Sequence, residues 1–92
     1  MTDRMRPRLL AVSQIPPDLR AALAQRYELA DHAALAGGSA PGFDIAVTMS
    51  MHGVNAAQMD NLPDLKLIAC NGAGLERIDL AEAWRRGIAV CH

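Results

Sequence analysis

Aromatic residues are nearly absent, with one Trp, one Tyr and one Phe in 92 residues. Nine basic residues against ten acidic ones leave no positive excess either. The stacking platforms and basic surface that a nucleic-acid partner requires are therefore lacking. Arg4, Arg6 and Arg8 cluster at the N-terminus without interleaved aromatics and read as a solvated tail. No apolar run reaches the roughly 20 residues that span a bilayer, and the stretch after Arg8 is too short for the apolar part of a signal peptide. The expected compartment is the cytoplasm, with no membrane partner. Cysteine is scarce as well. Cys70 and Cys91 fall in strand-like segments with no disulfide-framework spacing, so both are expected as reduced, buried thiols. No Cys-x-x-Cys pair accompanies His32, His52 and His92. Although each histidine follows the expected end of a strand, they read as exposed or loop-capping residues rather than metal ligands.

Hydrophobic residues make up 51% of the chain, enough for one small domain, and they come in short runs separated by turn signals. Strands are expected at Leu9 to Ser13, Tyr27 to Ala30, Phe43 to Thr48, Leu65 to Cys70 and Ile88 to Cys91. Prolines suited to a first helical turn open a helix over Pro17 to Arg26, with Leu19, Ala22, Leu23 and Arg26 along one stripe. A helical turn is expected in the Ala-rich stretch after Asp31, before the loop Gly37 to Gly42. Asn55 is placed to cap a short helix running to Asn61. Asp79, with Glu82 three residues on, has the form of a capping box for a helix that ends near Arg86, with Gly87 as its stop. Met49, Met51 and Met59 are expected in core packing. Strands alternating with helices predict a five-stranded parallel sheet with helices on both faces, because parallel neighbours need crossover connections. The last expected strand stops at His92 with no helix after it, so one side of the sheet is expected to be uncovered and the domain truncated there.

Between the fourth and fifth strands lies Gly72-Ala-Gly74. A dinucleotide fingerprint asks for a third glycine, which is Arg77 here, and for a carboxylate at the end of the next strand, where Cys91 and His92 stand. The unit is also the fourth strand of the chain, whereas the fingerprint opens its domain. What remains is a glycine loop at the carboxyl end of a parallel strand, where ligands of open sheets bind. Two readings stay open on local chemistry. The amides of Ala73, Gly74 and Leu75 converge on one anion such as a carboxylate, or the glycines only make a tight turn.

The combination Leu62-Pro-Asp-Leu-Lys-Leu-Ile-Ala-Cys70, Gly72-Ala-Gly-Leu-Glu-Arg-Ile-Asp-Leu80 and Arg86-Gly-Ile-Ala-Val90 resembles the substrate-binding part of the D-isomer-specific 2-hydroxyacid dehydrogenases. The members most resembled are the glyoxylate or hydroxypyruvate reductases. The resemblance implies a flavodoxin-like domain beside a separate Rossmann domain for NAD or NADP, with the active site between them. It implies that Ala73 and Gly74 offer backbone amides to the carboxylate of a small 2-oxo or 2-hydroxy acid, that Met49 and Ser50 border that acid, and that Gly72 and Leu75 shape the loop. Glu76 departs from the aspartate usual there, and Asn71 stands at a variable position.

In that family the substrate arginine, the acidic partner and the catalytic histidine all follow this region, and none of His32, His52 or His92 matches the last of these. Residues 1–92 are therefore expected to be the N-terminal portion of a substrate-binding domain. They are expected to carry no catalytic residue, bind no cofactor or metal and transfer no hydride alone. The full-length family is expected to be homodimeric. The alternative is a noncatalytic flavodoxin-like module that binds a small acid or a protein. A receiver-type domain is disfavoured, because the first strand ends in Ser13 without an acidic pair for magnesium.

Overall fold

A computed structural model describes residues 7–31, 39–72 and 74–91. In chain order the elements are β1 (Arg8–Ala11), α1 (Pro17–Ala24), β2 (Glu28–Asp31), β3 (Ile45–Met49), α2 (Ala56–Asp60), β4 (Leu67–Asn71), α3 (Leu80–Arg85) and β5 (Ala89–Cys91). The strands form one five-stranded sheet in the order β2-β1-β3-β4-β5, and every pairing is parallel. This is the flavodoxin-like order.

Why these residues make strands is visible in their burial. The inner strands β1 and β3 bury side chains that point to both faces, as parallel sheets covered on both sides require. One face carries Leu10, Ala46, Ile68 and Cys70 under Met59 of α2 and Ala83 of α3. The other carries Leu9, Ala11 and Val47, with Leu19 and Leu23 of α1 packed against them. Helices thus lie on both faces.

Local signals set most boundaries. Asn55 caps α2 through a full capping box. Its side chain accepts from the Gln58 amide at 2.8 Å, and the Gln58 side chain accepts from the Asn55 amide at 2.8 Å. At α3 only half of the expected box forms. Asp79 accepts from the Glu82 amide at 3.1 Å, but the Glu82 carboxylate turns away to pair with Arg85 and Arg86. Two arginines offer that carboxylate charge-assisted bonds, which outweigh a single neutral amide. Gly87, at φ +73°, then ends the helix as expected.

Several expectations need correction. The apolar stripe of α1 is narrower than its spacing suggests, because Leu19 and Leu23 are half-buried while Ala22 and Arg26 are exposed. The helix ends at Ala24, and the amides of Arg26 and Tyr27 both turn back onto the Leu23 carbonyl. Arg8 belongs to β1 rather than to a solvated tail. Its guanidinium lies 4.4 Å from the centre of the Phe43 ring, and its Nε is 3.3 Å from Glu28. Cys91 is exposed, since β5 is an edge strand, whereas Cys70 is buried. Of the three methionines, Met59 is core, Met49 is half-buried and Met51 is 67% exposed in the loop after β3. The expected helical turn after Asp31 and the start of the Gly37 to Gly42 loop lie outside the described residues.

Candidate functional site

The loop that follows β3 is drawn back across the strand end. Thr48 is fully buried, and its hydroxyl donates to the Gly53 carbonyl at 2.9 Å. The amides of His52 and Gly53 both donate to the Met49 carbonyl at 2.9 Å, which closes the turn. Gly53 has φ +69°, and a Cβ there would run into the Arg77 backbone carbonyl, so this close approach needs glycine. Beyond it, Val54 forms a parallel bridge with Ile78, and the Asp79 amide donates to the Val54 carbonyl at 3.0 Å. The β3 loop is thereby stitched to the turn that precedes α3.

The loop after β4 lies against the same segment. The Ser50 amide donates to the Asn71 carbonyl at 2.9 Å, and Asn71 Nδ2 donates to Met49 Sδ at 3.5 Å. Gly72, at φ +132°, leaves the space that the Ser50 side chain fills. Below the loop, Cys70 Sγ donates to the Gly74 carbonyl at 3.5 Å. Burial pushes this thiol up, with smaller contributions in the same direction from neighbouring Cys91 and Glu76, so it stays protonated and able to donate. A trans peptide holds its C=O and N–H on opposite sides. Anchoring the Gly74 carbonyl toward Cys70 therefore aims the Leu75 amide away from the sulfur. Among the described residues, the amides of Gly74 and Leu75 donate to no protein acceptor. The Glu76 carboxylate folds back over Gly74 and lies where a Cβ on that glycine would stand.

Of the residues singled out in the sequence, Met49, Ser50, Gly72, Gly74 and Leu75 are brought together at the carboxyl ends of β3 and β4. Ala73 lies outside the described residues, as do His32 and His92. His52 is exposed in the β3 loop. Among the described residues, no three His, Cys, Asp or Glu side chains are grouped to hold a metal ion. Sequence reasoning missed Thr48, Gly53 and Cys70, which hold the two loops. Only Gly53 offered a signal, as a lone glycine just past a strand.

A dinucleotide does not fit this loop. Its pyrophosphate needs a helix N-terminus directly after the glycines. Here α3 begins only at Leu80, its first turn is capped by the Asp79 carboxylate, and a second carboxylate, Glu76, sits over Gly74. Both carboxylates oppose a phosphate.

The sequence profile of the D-isomer specific 2-hydroxyacid dehydrogenase catalytic domain matches residues 10–92. A 2-ketogluconate reductase of Gluconobacter oxydans (strain 621H) is 33% identical over an 87-residue alignment that covers 92% of this chain and 28% of the relative. The NADPH-dependent glyoxylate/hydroxypyruvate reductase of Sinorhizobium meliloti, solved with NADP and malonate, superposes with a TM-score of 0.79 at 27% identity, over 92% of this chain and 27% of that one. A 2-hydroxyacid dehydrogenase of Ketogulonicigenium vulgare Y25 shares the fold, with a TM-score of 0.83 at 24% identity over 95% of this chain and 29% of that one. The chain thus spans under a third of the length of each of these relatives. With the profile covering all but the first nine residues and the sheet order in agreement, the chain belongs to the D-isomer specific 2-hydroxyacid dehydrogenase family.

Proposed function

We propose that this chain forms the acid-holding wall of the substrate cleft in an NAD(P)-dependent oxidoreductase. The whole protein acts on the CH–OH group of small D-2-hydroxy acids, or reduces 2-oxo acids such as glyoxylate or hydroxypyruvate. The observation that carries this reading is the pair of amides of the half-buried residues Gly74 and Leu75, which have no protein acceptor among the described residues and lie at the carboxyl end of an inner strand. A carboxylate accepts charge-assisted hydrogen bonds from such donors, and a loop anchored through Cys70 holds them in place without reorganisation. Ala73 is the third donor of the set. Met49 and Ser50 flank the bound acid, and Gly72 lets the two loops close together.

The relatives support the substrate class. One is a 2-ketogluconate reductase, and another is a glyoxylate/hydroxypyruvate reductase. Since the Gly72 loop does not fit a dinucleotide, we place NAD or NADP binding and hydride transfer outside residues 1–92, in a Rossmann domain. The chain's own task is to bind and orient the acid. The whole protein is proposed to work as a cytoplasmic homodimer. The relatives being reductases and dehydrogenases, nothing in them favours the noncatalytic module.

Amide-resolved NMR titration of the chain with glyoxylate tests the binding role. The Gly74 and Leu75 amides should shift in a saturable way, and Gly74→Val should weaken binding about tenfold or more, given about 1.5–3 kcal/mol for each hydrogen bond to a charged group. In the complete gene product, the same substitution should lower kcat/KM for glyoxylate to a similar degree. Unmoved amides, or unchanged binding in Gly74→Val, would reduce the loop to a tight turn.

A further inference from the structure

We propose that Glu76 selects acids by charge, favouring those with one carboxylate over dicarboxylates; the proposal rests on the acid-binding role of the Gly74 loop. A Cβ built on Gly74 would lie 2.7 Å from the Glu76 carboxylate carbon. Ordinary backbone geometry then puts that charge within about 5 Å of the Gly74 amide. Glu76 makes no ion pair among the described residues, so none of them neutralises its charge. Its field reaches beneath the loop, where it helps to push the Cys70 thiol up.

The donors that hold the acid are backbone amides, which carry partial charges. From Asn71 to Glu76 the sequence contains no lysine or arginine. One carboxylate on the substrate gains two or three amide hydrogen bonds, which offset the repulsion from Glu76. A second carboxylate gains no such bonds from these amides and meets the same repulsion. An uncharged extension, such as the hydroxymethyl group of hydroxypyruvate or the polyol of a sugar acid, carries no such penalty. Glu76 therefore acts on specificity through charge, in a loop whose shape it does not itself hold.

The test compares glyoxylate with malonate as probes on the full chain, by calorimetry or NMR titration, for the wild type, Glu76→Gln and Glu76→Asp. The wild type should bind glyoxylate more tightly than malonate. Glu76→Gln should shift that ratio toward malonate by about fivefold, the size expected for one pair of unit charges about 4 Å apart in water. Glu76→Asp should keep the wild-type preference. At 1 M salt, where screening acts within about 3 Å, the difference between wild type and Glu76→Gln should shrink. A loss of loop shape would not follow salt in that way. If both acids bind and the ratio is the same in wild type and Glu76→Gln, the filter is overturned while acid binding stands. If neither acid binds any variant, although each melts like the wild type, acid binding by the loop falls and the filter falls with it.

Discussion

At Gly87 the backbone holds φ +73° with nothing within 4 Å of where a Cβ would stand, whereas Gly53, at φ +69°, faces the Arg77 backbone carbonyl. The two positions have nearly the same conformation and differ in free space. Gly87→Ala is expected to cost about 1 kcal/mol, the penalty for a left-handed L-residue. Gly53→Ala adds a backbone collision to that penalty and should cost about 3 kcal/mol or more. Urea unfolding of both variants checks this, and equal costs would show that conformation alone decides. The same contrast explains what could be read from the sequence at this scale. Gly87 was legible because a helix stop depends on adjacent residues, here two arginines before it. Gly53 was not, because the reason for its glycine lies on another segment, at Arg77. Thr48 is similar, since its hydroxyl answers a carbonyl exposed only once the β3 loop folds back. Met51 and Cys91 were misplaced because apolar character alone does not show that a loop tip or an edge strand stays in water.

Among the elements, α3 shows how a cap and its charges divide their work. Asp79 supplies the N-cap, and Glu82 is drawn between the Arg85 and Arg86 guanidinium groups. Arg86 also reaches Asp60 of α2, which ties the two helices together. The hydrogen bonds from Arg85 and Arg86 hold the Glu82 carboxyl down to about 2, from an ordinary value of 4.5. The folded state thus prefers the ionised form more strongly than the unfolded chain does. Its contribution to stability is fully present above pH 4.5 and is lost as the pH falls from 4.5 toward about 2. Glu82→Gln should therefore flatten the acid limb of stability in that window, lowering stability at pH 7 and converging with the wild type near pH 2. A series of urea midpoints from pH 6 to 2 for both proteins measures it, and parallel curves would show that these exposed pairs contribute nothing. The sequence signalled a cap here because Asp79 and Glu82 are three residues apart. It could not signal the competing arginine pairs, which depend on side-chain directions at the helix end.

The whole molecule places its weight unequally on the two faces of the sheet. Alternation of short apolar runs with helical segments was enough to anticipate a parallel five-stranded sheet, because few right-handed arrangements join such units. It could not show how deep each face would be. Among the described residues, the face beneath α2 and α3 gathers the larger cluster around Leu10, Val54, Met59 and Ile68, whereas the face beneath α1 buries Leu9, Ala11, Ile15 and Val47. The larger face is also the one that opens at its rim. There a groove of about 620 Å³ runs between α3 and β5 past Ile88 and Val90, and Trp84 stands 85% exposed at its side. Stability should therefore depend most on the closed middle of that face. Ile68 is fully buried at its centre, on a strand flanked by β3 and β5, so Ile68→Ala should cost about 3–4 kcal/mol. Leu23, half-buried on α1, should cost about 1 kcal/mol when cut to Ala, because much of its surface already meets water. A domain of this length has a total stability of only about 5–14 kcal/mol, so the first change removes a large share and the second does not. Circular dichroism melts are the suitable measure, since the single Trp is already in water and its fluorescence should change little on unfolding. Similar losses from both substitutions would mean that α1 closes its face as firmly as α2 and α3 close theirs.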